Sequence, residues 1–119
     1  MRHPRGALKL RVMFGPEIAM GPGKAQLLEA IAATGSISES ARRLRMSYRR
    51  AWLLVDTMNR CFREPVVASA AGGARGGGAR VTSFGRRVLS RYHAMRGEAD
   101  RALDAGIERF SELLADRPR

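Results

Sequence analysis

Within six residues, Ser47-Tyr48-Arg49-Arg50-Ala51-Trp52, the chain places two guanidinium groups, a phenol, an indole N–H and a hydroxyl. Guanidinium presents a planar fork of donors that matches phosphate oxygens and the O6/N7 edge of guanine. A second group of arginines, Arg75 and Arg80, lies in and beside a glycine-rich stretch, AAGGARGGG at positions 70–78. Glycines let backbone approach a sugar-phosphate surface, and arginines there can follow a groove or its phosphates. The chemistry on offer is recognition of a polyanion by hydrogen-bond donors.

Residues for covalent or acid–base chemistry are missing by comparison. His3 and His93 have no Cys or carboxylate at metal-ligand spacing in the sequence, which assigns both to solvated surface. Asp56 stands four residues before Arg60, an ordinary helical ion pair. No Gly-Lys-Ser/Thr follows the glycine run, and it precedes a strand, not a helix, so it is no P-loop. The expectation is a non-enzyme with no catalytic residues, no metal and no cofactor. The single Cys61 cannot close an internal disulfide, which points to a reducing cytoplasm.

Charge supports a polyanionic partner. Lys and Arg number 22 against 11 Asp and Glu, a net charge of +11, and Lys9 and Lys24 are the only lysines. Phosphates neutralised by such a chain release counterions. A GC-rich genome would also enrich arginine, so placement counts for more than the total. No apolar run reaches the ~20 residues of a membrane span, and MRHPRGALKLRVMFG lacks the apolar core and cleavage site of a signal peptide.

The elements that must position these groups follow from spacing. Residues 1–7 are polar and read as a disordered tail. Leu8 to Phe14 alternates apolar and basic residues as a half-buried strand, with a partner strand over Glu17–Met20 after Gly15-Pro16. A helix from near Lys24 buries Leu27, Leu28 and Ile31 and closes at Gly35. Ser36 is an N-cap, and Glu39 completes a capping box. Ile37, Ala41 and Leu44 line one face of the short helix that follows, and Arg45-Met46 form a turn. Such a turn often takes a positive φ, here on Arg45 at a cost of about 1 kcal/mol.

Ser47 caps the next helix, whose Ala51, Val55, Met58 and Phe62 face the core. That leaves Tyr48, Arg49, Arg50, Trp52 and Leu53 outward, as in a recognition helix. A helical hairpin in any small α-domain would share the apolar spacing; the basic outer face favours the helix-turn-helix. Val66–Ser69 and Ala79–Thr82 read as two strands joined by the glycine-rich loop, a wing or else a flexible hairpin. From Thr82 a helix runs to about Ala115. Its Leu89, Tyr92, Ala99, Leu103, Ile107, Phe110 and Leu114 form a seam spaced by three, four or seven. At ~45 Å it exceeds what one small domain covers, so the seam either meets a second chain or folds back on its own core.

In order, these pieces resemble the N-terminal DNA-binding domain of the molybdate-dependent transcriptional regulator (ModE) family, a winged helix related to the LysR-type regulators. The resemblance runs from about Leu8 to Asp116 and rests on GPGKAQLLEAI, GSIS, MSYRRAW, MN and GGARGGGARVTSFGRRV. It implies a mainly α fold with small β parts: an N-terminal β-hairpin, a winged helix-turn-helix over 8–82 and a dimerisation helix over 83–119. By position it implies DNA contact by Ser47, Tyr48, Arg49, Arg50, Trp52, Arg75 and Arg80. Leu89, Tyr92, Leu103, Ile107 and Phe110 are the expected dimer contacts. Family members carry C-terminal molybdate-binding domains, which would begin after Arg119. The matching motifs therefore support double-stranded DNA and a second copy as partners, with no small-molecule effector. Two other classes stay open: a sequence-tolerant architectural or RNA-binding protein, and a helical interaction module. One Trp, two Tyr and four Phe, mostly at core spacing, offer little platform for single strands.

Overall fold

A computed structural model describes residues 5–70 and 78–119. The order is β1 (Val12–Phe14), β2 (Glu17–Met20), α1 (Pro22–Thr34), α2 (Ile37–Arg43), α3 (Tyr48–Cys61), β3 (Val67–Ala70), β4 (Gly78–Val81) and α4 (Ser83–Ser111). Two separate antiparallel pairs, β1–β2 and β3–β4, flank a three-helix core, with α4 leading away from it. This is a winged helix with an N-terminal hairpin and a long C-terminal helix.

Local chemistry fixes most boundaries. Gly35 ends α1 at φ 70°, its N–H bonded to Ile31 O at 2.8 Å. Leu27, Leu28 and Ile31 are fully buried. Ser36 accepts from Glu39 N–H at 3.0 Å, but the return half of the capping box is absent. Ser36 N–H donates to Thr34 Oγ1 at 3.2 Å, while the Glu39 carboxylate pairs with Arg42 at 2.8 Å. Arg45 carries φ 57°, the one positive φ on a non-glycine among the described residues. Buried Ala41 and Ala51 let α2 and α3 pack closely.

The first strand departs from expectation. It covers Val12–Phe14 alone, and all three residues are exposed. Of the apolar residues in Leu8–Phe14, Leu10 alone packs against the core, and it lies before the strand. Residues 5–7 of the expected tail lie against α4: Arg5 pairs with Asp104, and Gly6 N–H donates to Ser111 Oγ at 2.8 Å.

Thr82 caps α4 through Gly85 N–H at 2.9 Å and also donates its hydroxyl to Pro65 O at 2.7 Å. α4 spans 29 residues, about 43 Å at 1.5 Å per residue, and ends at Ser111, short of Ala115. Its charges are segregated. Arg86, Arg87, Arg91 and Arg96 occupy the first half with no acid, and Glu98, Asp100, Asp104 and Glu108 outnumber Arg101 and Arg109 in the second.

Tyr92 is corrected from dimer contact to core. It is 1% exposed, and its hydroxyl donates to Leu10 O at 2.8 Å. Leu89 is likewise half-buried against the chain's own core. The first half of α4 thus folds back on the body, and further along Leu103 and Phe110 stay exposed with Ile107 half-buried.

Candidate nucleic-acid interface

α3 is held by its inner face. Ala51, Val55 and Met58 are buried, and Ser47 fixes the helix start by accepting from Arg50 N–H at 3.0 Å. The outer face then presents Tyr48 at 56% exposure, Trp52 at 48% and Leu53 at 44%, with Arg49 and Arg50 exposed beside them.

Acidic side chains are spent elsewhere. Glu39 holds Arg42, Asp56 holds Arg60 at 3.0 Å, Glu64 lies 3.8 Å from Arg63, and Asp104 holds Arg5. Among the described residues, Arg43, Arg45, Arg49, Arg50 and Arg80 have no carboxylate partner. Four of these unpaired guanidiniums sit on the end of α2, the turn and the first turn of α3; Arg80 sits on β4. Unneutralised and exposed, they can each meet a phosphate or a base edge. The structure brings Ser47, Tyr48, Arg49, Arg50 and Trp52 together on α3. Arg75 lies outside the described residues.

Sequence reasoning missed Asn59. Its Oδ1 accepts from Val66 N–H at 2.8 Å and Val67 N–H at 3.3 Å, and its Nδ2 donates to Val67 O at 3.1 Å. One amide thus ties α3 to the base of the β3–β4 hairpin, with the fully buried Val66 beside it. The only sequence signal was the Met-Asn pair within the family resemblance. Replacing Asn59 with Ala should cost about 2 kcal/mol or more, because buried backbone groups lose their partners. Urea denaturation checks this, and Asn59→Asp, which keeps the acceptor, should fall between.

His93 is not a bare surface residue. Its Nε2 lies 2.6 Å from Glu29 Oε1 on α1, a carboxylate 64 positions away. This pairs α4 with α1; among the described residues no His/Cys/Asp/Glu group could hold a metal ion. Lys24, only 8% exposed, has its pKa pushed below the usual lysine value, chiefly by burial, with Cys61 and Glu17 partly offsetting. No described helix is long and apolar enough to cross a membrane.

No family model matches the chain. It is 42% identical over 95 residues to the molybdenum transport protein ModE of Azotobacter vinelandii, covering 80% of this chain and 35% of that protein. It is 39% identical over 97 residues to the molybdenum-pterin-binding protein MopA of Rhodobacter capsulatus, covering 82% of this chain and 36% of that one. The DNA-binding transcriptional dual regulator ModE of Escherichia coli K12 is 36% identical over 83 residues, 70% of this chain and 32% of its own length. The chain spans about a third of the length of these relatives. Over 83 to 97 residues it is a homologue of the ModE-type molybdenum-related proteins.

Proposed function

We propose that the chain is a sequence-specific, double-stranded-DNA-binding transcriptional regulator of ModE type, acting as a homodimer on molybdenum-related genes. Residues 8–82 form the DNA-binding unit and 83–119 the dimerisation element. One observation carries this reading: unpaired guanidiniums stand beside two exposed aromatics on a helix whose opposite face is sunk in the core. A solvated structural helix has no need of exposed Tyr and Trp beside unneutralised Arg. The name of the Escherichia coli relative, a DNA-binding dual regulator, agrees with it.

Site selection from random duplex DNA tests the proposal. A two-fold symmetric site, bound ~10³-fold or more above random DNA, is expected. Log affinity should fall steeply with log salt. Replacing by Ala whichever of Arg49 and Arg50 pairs with a guanine should cost about 1–3 kcal/mol on that site and relax its base preference. Tight binding without selectivity would instead support the architectural reading, and a flat salt response would defeat both.

A further inference from the structure

A groove of about 380 Å³ separates α3 from the β3–β4 hairpin. Tyr48 and Trp52 line it from α3, Ser36 and Ser38 from the start of α2, and Ser69 from β3; no charged side chain lines it. Among the described residues, the Tyr48 hydroxyl and the Trp52 indole N–H make no hydrogen bond, although both side chains are about half covered. Phenol and indole groups ordinarily find a polar partner where their rings are packed. Arginines without a carboxylate partner stand next in the chain to its lining, Arg49 and Arg50 after Tyr48 on α3 and Arg80 after Ala79 on β4.

We propose that this groove seats the sugar–phosphate backbone of one DNA strand, gripped by neutral donors. This rests on the DNA-binding reading above. With α3 in the major groove and the hairpin reaching the adjacent groove, the backbone dividing the two grooves has to cross the gap between those elements. The Tyr48 O–H and Trp52 N–H then donate to a phosphate oxygen, and their rings pack on deoxyribose. Ser38 and Ser69 add hydroxyls. The occupant is a backbone and not a base because the lining offers donors on both walls and no free side chain with the paired donor and acceptor that a base edge asks for. Asn59, the one amide present, is already bound to β3.

Neutral donors give the contact a signature. The salt dependence of binding counts phosphates neutralised by cations. Losing a neutral donor should lower affinity and leave the slope alone. On a selected duplex, Tyr48→Phe and Trp52→Phe in the full chain should each weaken binding about tenfold, as for a hydrogen bond to a charged group. Base preference and salt slope should not change, whereas Arg80→Ala, which removes a cation from the hairpin, should lower the slope by about one. A single methylphosphonate at the backbone position between the two grooves should weaken wild type and have less effect on Tyr48→Phe.

Unchanged affinity in both Phe variants overturns the proposal. So does coupling that appears on replacing a thymine with deoxyuracil and not on the methylphosphonate, since the groove would then read a base. If no duplex is selected and Arg49→Ala is also silent, the DNA-binding reading itself fails, a result distinct from either.

Discussion

Gly85→Ala should remove a large part of the domain's stability. A Cβ at this position would stand 2.3 Å from Val66 O and 2.9 Å from Val81 Cγ1. Backbone is the obstacle, and it cannot step aside. Val66 O already accepts from Thr82 N–H at 3.0 Å, and Asn59 fixes the Val66 N–H from the other side. Relief requires lifting α4 off the hairpin, which also breaks the Thr82 cap. Overpacking against fixed backbone costs about 3 kcal/mol or more, from a total of roughly 5–15 kcal/mol for a domain of this size. Gly106→Ala in the same helix supplies the contrast, because nothing lies within 4 Å of its added Cβ. That change should stabilise the helix by up to about 1 kcal/mol. Equilibrium urea melts of both variants decide the matter; a Gly85→Ala protein within 0.5 kcal/mol of wild type, on the scale of ordinary surface changes, would refute the steric account.

Leu103→Asp should separate the proposed dimer. Leu103 is 47% exposed and Phe110 59%, on the part of α4 that runs clear of the helical core. An isolated protomer gains nothing from that apolar surface, and a second copy would cover it. Aspartate at the centre of such a seam leaves a buried, unpaired charge. Sedimentation velocity should show wild type as a dimer at micromolar concentration and the variant as a monomer. On a duplex with two half-sites the variant should lose 10²–10⁴ in affinity, the gain that bivalent binding supplies. Binding to one half-site should be unaffected. A monomeric wild type would remove the basis for the homodimer.

Short-range chemistry was legible in the sequence, and long-range placement was not. Ser36, Ser47 and Thr82 act as N-caps, and Gly35 and Arg45 take left-handed backbone, because each depends on neighbours within a few residues. The stripes of α1 and α3 point inward for the same reason. Tyr92 was misassigned because three-and-four spacing marks an apolar stripe without saying whose surface covers it. Leu10, 82 positions away, supplies the answer. The Glu29–His93 and Arg5–Asp104 pairs similarly depend on how α4 turns back past α1 and the N-terminal segment. At the site, the outward residues of α3 were readable, but the groove beside them exists only once the hairpin is docked by Asn59.

The charge order along α4 runs against the grain of a lone helix. The helix macrodipole favours acids near the N-terminus and bases near the C-terminus. α4 puts four arginines in its first half and four acids in its second. The first half escapes frustration by packing on the body, whereas the second is held by its own chain mainly through the N-terminal segment, at Asp104 and Ser111. A second copy laid head to tail would set each acidic half against an arginine-rich one and relieve both at once. Assembly and helix formation would then be a single electrostatic event, and salt would loosen the rod together with its hold on DNA.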